Sequence, residues 1–149
     1  MSGRLDGKVC LVTGAGSGMG RAAVVRFSRE GARIVAADVD LAAVRESVAL
    51  AETAGGKALA VRMDVSKEAE VHVGIQAGVK AYGKIDVLYN NAGIFPAADH
   101  SVTDTDEAIW DRVFAVNVKG IYLVCKHGIP ELLAAGGGSI INVASFVAL

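Results

Sequence analysis

Short apolar runs alternate with stretches of helical spacing along the whole chain. Five of the runs have the length that is typical of buried strands; they span residues 9–12, 33–38, 58–63, 85–89 and 139–143. Between most of the runs, apolar residues return every three or four positions, as they do on one face of an amphipathic helix. The pattern therefore predicts strands that alternate with helices.

The segment 68–82 fits two periods at once. Apolar residues alternate with polar or small ones, which is typical of a strand, at Val71, Val73, Ile75, Ala77 and Val79. Four apolar residues also share one face of a helix: Val71, Ile75, Val79 and Tyr82. We favour the helix, because the parallel strands on either side need a crossover connection. Gly74 and Gly78 should weaken it by up to about 1 kcal/mol each relative to Ala.

Regular strand–helix alternation predicts an α/β fold, a doubly wound parallel sheet of Rossmann type with helices on both faces. Right-handed crossovers then give the strand order 3-2-1-4-5. A long apolar helix over residues 108–133 precedes the fifth strand. We expect one domain over residues 1–149, incomplete at its C-terminal end and truncated after strand five, so that this strand forms an exposed apolar edge.

A glycine-rich turn over residues 13–20 joins the first strand to the first helix. The N–H groups at the start of a helix lack partners inside it and carry partial positive charge, and glycine lets the backbone approach a ligand closely. The predicted ligand is a phosphate or pyrophosphate, contacted by Gly14, Gly16, Ser17, Gly18, Met19 and Gly20. The alternative is a tight turn without a ligand.

An acidic residue, Asp38, ends the second strand about twenty residues after the glycine turn. In a doubly wound sheet such a residue accepts hydrogen bonds from the ribose hydroxyls of an adenine dinucleotide and repels the extra phosphate of NADP. Neither Val39 nor Ser17 is basic, so the predicted cofactor is NAD, and NADP is less favoured. Alternatively, Asp38 or Asp40 caps the next helix, and both roles can hold in one turn.

Composition narrows the class of protein. The chain of 149 residues has 15 Lys and Arg, 16 Asp and Glu and a net charge of −1; with no basic run, this argues against nucleic acid as a partner. Neither a signal peptide nor a membrane span is expected, which favours a cytoplasmic protein. We expect Cys10 and Cys125 to be buried, reduced thiols. No metal site is predicted, because His72, His100 and His127 lack metal-ligand spacing.

Four motifs together resemble the short-chain dehydrogenase/reductase family over essentially the whole chain. The glycine turn departs from G-x-G-x-x-G, since Met19 stands where the third glycine would be, and instead has the spacing T-G-x-x-x-G-x-G. The others are the tetrapeptide at 90–93 (NNAG), Asn117 in N-V-K-G, and Ser145 after the fifth strand. The resemblance implies an NAD-dependent oxidoreductase that acts on a small alcohol or carbonyl substrate, with hydride transfer to or from the cofactor.

The resemblance also implies roles for individual residues. Asp64 and Val65 would hold the adenine ring, although an isolated Asp64 is more often a turn residue. Asn91, Ala92 and Gly93 would line the cofactor cleft. Ser145 would be the catalytic serine, with Ala144 in place of a first hydroxyl residue. Asn117 would bend its helix and hold a water of the proton relay, and satisfaction of its side chain by neighbouring backbone is a component of that role. Three residues are candidate substrate contacts: Ile94, Phe95 and Val147.

The acid/base pair of the family, Tyr-x-x-x-Lys, is expected after Leu149. Tyr122 and Lys126 have that spacing but precede Ser145, and we expect Tyr122 to pack in the apolar stripe of its helix. The 149 residues alone could therefore be a non-catalytic nucleotide-binding module, or a structural domain with glycine turns only. The family resemblance further implies a homo-oligomer, a tetramer or dimer.

Overall fold

A five-stranded parallel sheet forms the centre of the computed structural model, which describes residues 3–145. Its strands are β1 (Val9–Thr13), β2 (Arg33–Asp38), β3 (Lys57–Arg62), β4 (Val87–Asn90) and β5 (Ser139–Asn142). The α-helices are α1 (Gly18–Arg29), α2 (Leu41–Thr53), α3 (Glu68–Tyr82), α4 (Glu107–Phe114) and α5 (Gly120–Ala134). The order β3-β2-β1-β4-β5 confirms the predicted topology.

Two hydrophobic cores lie on opposite faces of the sheet. Along β1, Val9 and Leu11 belong to one core and Cys10 and Val12 to the other, because successive side chains of a strand point to opposite faces. Helices α3 and α5 cover the first face, and α1 and α2 cover the second. All of β1 is therefore buried, which explains its continuous apolar run.

The ambiguous segment is a helix, α3, as predicted. Val71 and Ile75 are fully buried, whereas Val73 is 65% exposed, so the strand-like alternation does not match the face that packs. Gly74 and Gly78 allow close packing: an added Cβ would lie 2.7 Å from Met63 Sδ and 2.7 Å from Val35 Cγ2, respectively. The two glycines therefore lower the helix propensity of α3 but allow this helix to pack closely on the sheet.

The predicted long helix over residues 108–133 is distorted around Asn117, the residue at which the family resemblance implies a bend. A π-helical segment, Ala115–Lys119, lies between α4 and α5. Asn117 lies in its middle and binds the backbone of Ile94, 23 positions away. Because π-turns are mostly single bulges inside α-helices, this wider turn is where the long helix accommodates that contact.

Strand β4 begins two residues later than predicted, after the buried Ile85 and Asp86. The Asp86 carboxylate accepts a hydrogen bond of 2.8 Å from Val9 N and pairs with Lys84 at 3.0 Å. Burial acts to raise the pKa of Asp86, but those two bonds and the charge of Lys8 outweigh it, so this pKa lies below its ordinary value of 3.8. An ionised carboxylate thus joins the amino ends of β1 and β4.

Strand β5 is the exposed edge that was predicted, with Ile140 and Ile141 40% and 42% exposed. Cys10 is fully buried, and burial raises the pKa of its thiol to about 12. Cys125 is only partly buried, contrary to expectation, and its Sγ lies 3.6 Å from the Nδ2 of the buried Asn90. Among residues 3–145, none of the helices has both the length and the apolar character needed to cross a bilayer.

Candidate functional site

A cavity of about 310 Å³ opens at the carboxyl edge of the sheet, where parallel α/β folds bind their ligands. Six of the residues predicted for the site line it: Gly14, Asp38, Asp64, Val65, Ala92 and Gly93. They follow four different strands, so the topology brings together residues that lie up to 79 positions apart in the chain. Ile94, a predicted substrate contact, lines the same cavity.

The glycine turn packs so closely that two of its glycines cannot carry a side chain. Gly14 has φ +65°, and an added Cβ would lie 2.9 Å from Ala92 Cα. A Cβ on Gly20 would overlap the carbonyl oxygen of Gly14. The turn therefore needs glycine for its positive φ at one position and for backbone contact at the other.

The start of α1 is left open by its own side chains. Its N-cap residue, Ser17, is extended and makes no side-chain capping bond, and the first turn holds no acidic residue. The first N–H groups of a helix have no acceptor within it, and the helix dipole adds partial positive charge there. This end of α1, with Met19 64% exposed beside it, can therefore bind an anion through backbone N–H groups.

Asp38 belongs both to the turn and to the cavity. One carboxylate oxygen accepts from Gly16 N at 3.0 Å and the other accepts from Asp40 N at 3.1 Å. The cap of α2 is Asp40, which accepts from Ala43 N at 3.1 Å. The capping alternative thus applies to Asp40, and Asp38 holds the turn while it lines the cavity.

Asp64 is held in a turn of its own and also lines the cavity. Its Oδ1 accepts from the backbone N and the hydroxyl of Ser66, at 2.9 and 2.7 Å. Burial acts to raise the pKa of Asp64, but the two bonds from Ser66 and the charges of Lys67 and Arg62 lower it, and the net shift is downward from 3.8. Asp64 is therefore an ionised hydrogen-bond acceptor at neutral pH.

Thr13 connects the glycine turn to the tetrapeptide after β4. Its hydroxyl accepts from the backbone N of Asn91 and of Ala92, both at 3.0 Å. Asn91 Nδ2 in turn donates to the carbonyls of Thr13 and Gly14, at 3.0 and 3.3 Å. Asn91 is thus placed on the back of the turn, while Ala92 and Gly93 face the cavity; its contact with a cofactor stays a prediction.

The two predicted catalytic residues lie outside the cavity lining. Asn117 Oδ1 accepts from Ile94 N at 2.8 Å, and its Nδ2 donates to Ile94 O at 2.9 Å. The expected satisfaction of Asn117 by backbone is observed, and its place in a proton relay stays a prediction. Ser145 is exposed, three residues beyond β5. The predicted substrate contact Val147 lies outside the described residues.

Two basic residues that the sequence pattern did not single out line the cavity, Lys67 and Arg112. Nothing in the periodicity separates them from other surface cations. Tyr122 is 58% exposed on α5, so the expectation that it packs in an apolar stripe is wrong. The helix presents that face to solvent, and Lys126 pairs there with Glu68 at 2.7 Å.

Comparison with known proteins identifies the family of this chain. The model of the family described as "short chain dehydrogenase" matches residues 8–149. A 2,5-dichloro-2,5-cyclohexadiene-1,4-diol dehydrogenase of Sphingobium indicum is 41% identical over 151 aligned positions, which cover 100% of this chain and 59% of that protein. A 3-oxoacyl-[acyl-carrier-protein] reductase of Thermotoga maritima is 38% identical over 98% of this chain and 58% of its own length.

Solved structures agree with the sequence comparison. The crystal structure of levodione reductase superposes with a TM-score of 0.90 at 35% identity, over 95% of this chain and 55% of that one. The chain thus spans less than two thirds of the length of each of these relatives.

Proposed function

Because this chain belongs to the short-chain dehydrogenase family, as its motifs indicated, we propose that it supplies the nucleotide-binding part of an NAD-dependent oxidoreductase. The proposed reaction transfers a hydride between the nicotinamide and a small alcohol or carbonyl substrate. One observation carries the proposal: Asp38, which lines the cavity with Asp64, accepts a hydrogen bond from Gly16 N, two residues before the uncapped start of α1.

The residues around the cavity fit a dinucleotide. Backbone N–H groups of residues 17–20 would bind the pyrophosphate, since no capping side chain competes for them. Asp38 would accept from the adenosine ribose hydroxyls, Asp64 from the exocyclic amine of adenine, and Val65 would contact the ring. Ala92 and Gly93 present little side-chain bulk where the cleft continues past β4.

Members of this family use a nicotinamide cofactor, NAD or NADP. We propose NAD for this chain, because the carboxylate of Asp38 would repel a phosphate on the adenosine ribose. Val39 and Ser17, next to that position, bring no compensating charge.

When bound, the nicotinamide supplies or accepts the hydride. Ser145 would hydrogen-bond the substrate oxygen, and Asn117 would act by holding the backbone of Ile94 next to the cavity. In the family, the tyrosine of a Tyr-x-x-x-Lys segment is the acid/base, and the lysine of that segment lowers the pKa of the tyrosine. Sequencing the gene past Leu149 tests this part, and absence of that segment would contradict catalysis but not nucleotide binding.

Titration of the purified chain with NADH and NADPH tests the cofactor. We expect NADH to bind at least about tenfold more tightly than NADPH. Absence of binding to either would overturn the proposal. A protein that carries the Tyr-x-x-x-Lys segment could also bind the cofactor and show no turnover with any alcohol or carbonyl. That result would favour the non-catalytic nucleotide-binding module.

A capping variant tests where the anion binds. Ser17→Asp places a carboxylate at the open start of α1, so it should stabilise the helix by about 1 kcal/mol and weaken NADH binding by about tenfold. Ala49→Asp adds the same charge on the exposed side of α2 and should leave NADH binding unchanged. Equal effects of the two variants would place the anion elsewhere.

We also propose that the protein is a homo-oligomer through the α4–α5 side. Three large apolar residues at helical spacing are exposed there: Phe114 (43%), Val118 (55%) and Tyr122 (58%). Such a contiguous stripe is typical of an interface. Sedimentation of the protein and of Tyr122→Glu tests this, with a shift of the variant to smaller species expected.

A further inference from the structure

Two side chains from outside the glycine turn hold its carbonyl groups. Arg21 Nη2 donates to Gly16 O at 2.6 Å, and Arg21 Nε donates to Ser47 Oγ at 3.0 Å. Ser47 Oγ donates in turn to Ala15 O at 2.7 Å and also lies 3.2 Å from Ala43 O. One arginine of α1 and one serine of α2 thus hold two consecutive carbonyls of the turn.

The opposite side of the turn is held as well. Ala15 N donates to Ala37 O at 3.0 Å, and Gly16 N donates to Asp38 Oδ2 at 3.0 Å. The peptide unit between Ala15 and Gly16 is therefore held at both its carbonyl and its N–H. The next peptide unit, between Gly16 and Ser17, is held at its carbonyl by Arg21.

This arrangement directs the Ser17 N–H. In a planar trans peptide the C=O and the N–H point in opposite directions. Because Arg21 holds the Gly16 carbonyl, the Ser17 N–H of the same peptide points away from Arg21, and no capping side chain closes the helix start that follows it.

We propose that Arg21 and Ser47 are positioning residues of the nucleotide site, and that α2 contributes to pyrophosphate binding through them without touching the ligand. The inference rests on the proposed function. Ser47 is fully buried, and the Arg21 side chain is 32% exposed. Its ion pair with Glu46, at 2.9 Å, involves a carboxylate that is 68% exposed, so solvent screens this pair, and the backbone bonds carry the effect.

Binding of NADH and of adenosine by single variants tests the proposal. Adenosine lacks the pyrophosphate, so loss of positioning should weaken NADH and spare adenosine, measured by competition with NADH. We expect Arg21→Met to weaken NADH binding about tenfold and Ser47→Ala about threefold. Arg21→Lys retains one donor group and should lie between wild type and Arg21→Met. Adenosine affinity should stay within about twofold in all three.

Arg26→Met is the matched control, because it removes an arginine of the same helix that pairs with Glu30 at 2.7 Å, away from the turn. It should leave both ligands unaffected. Glu46→Gln should change NADH binding by less than about twofold, and a loss as large as that of Arg21→Met would assign the effect to the ion pair and overturn the proposal.

Two further results would overturn the proposal. Arg21→Met and Ser47→Ala could bind NADH as the wild type does, or they could weaken NADH and adenosine in equal proportion, which is the mark of general damage. If Arg21→Met does not fold, Ser47→Ala and Arg21→Lys decide the question by the same ratio. A wild-type protein that does not bind NADH would refute the proposed function itself, a result separate from any variant's behaviour.

Discussion

Helices α1 and α2 begin at the same edge of the sheet, and their first turns are completed in different ways. In α2, Asp40 accepts a hydrogen bond from Ala43 N, as a capping residue does. In α1, the residue at the same place, Ser17, makes no such bond, and no acidic residue follows in the first turn. Helices α3 and α4 also lack a side-chain cap, but each has Glu in its first turn.

The proposed anion site at the start of α1 therefore lacks a local source of helix stability. A good cap contributes about 1 kcal/mol, and α1 forgoes it. In its place the chain has a glycine turn whose carbonyl groups accept hydrogen bonds from Asn91 and Arg21. A ligand that supplies the missing anion should therefore stabilise the protein as well as bind to it.

The largest expected effect comes from filling the turn of α1. Gly20→Ala places a methyl group against the Gly14 carbonyl, so the turn has to move; we expect a loss of about 3 kcal/mol of unfolding free energy and loss of NADH binding. Gly55→Ala is the control: it has φ +83° but no atom within 4 Å of the new Cβ. It should cost about 1 kcal/mol and keep binding. Denaturant titration and NADH fluorescence measure the two quantities.

A substitution at the amino ends of the strands, opposite the cavity, should change stability without changing NADH binding. Asp86→Ala leaves the buried Val9 N–H without its acceptor and should cost about 2 kcal/mol at pH 7. Because folding lowers the pKa of Asp86, its stabilisation is present above the ordinary value of 3.8 and is lost as the pH falls through the lower, folded value.

Unfolding measured from pH 7 to pH 2 should therefore show wild type and Asp86→Ala converging only below about pH 4. The exposed Asp111 provides a control, since Asp111→Ala should match wild type throughout. A constant gap between wild type and Asp86→Ala down to pH 2 would contradict the assigned role of the carboxylate.

Asp38 connects the two helix starts through Gly16 N and Asp40 N, so its replacement sharpens the comparison. We expect Asp38→Ala to weaken NADH binding about tenfold and NADPH less, which lowers the NADH/NADPH preference. Asp38→Asn keeps an acceptor oxygen without the charge and should mainly improve NADPH. An unchanged preference in both variants would argue against contact between Asp38 and the ribose.

The smallest effects test the caps directly. Asp40→Ala should lower the free energy of unfolding by about 1 kcal/mol, because Asp40 makes a capping bond. Ser17→Ala should change it by close to nothing, because Ser17 makes no such bond. Urea denaturation of the two variants measures both. Equal losses would mean that the two helix starts do not differ as described.

Most of the fold follows from local patterns. The run at Arg33–Asp38 matches β2 at both ends, because a strand buried on both faces is a continuous apolar segment with polar ends. Alternation with helices then restricts the order of the strands. The π-helical turn was not predictable this way, since it depends on a contact between Asn117 and Ile94 that no short window of sequence contains.

The grouping of several residues around one cavity was predictable to the same extent. Residues that follow strands, such as Asp38, Asp64 and Gly93, share the cavity because the topology places all carboxyl ends at one edge. The directions of side chains were not predictable from the sequence. Asn91 lies behind the glycine turn, and Arg112 reaches the cavity from α4. Both directions depend on three-dimensional packing, and the spacing of apolar residues along the sequence does not reveal it.

The carboxamide of Asn117 meets the Ile94 peptide with one donor and one acceptor, as a neighbouring strand would. The chain after β4 is therefore anchored at Ile94 by a side chain instead of a further strand. Beyond that anchor, the segment up to Asp106 lies outside any strand or α-helix. Substitutions that reshape this segment can therefore leave the backbone at Gly93, on the cavity wall, in place.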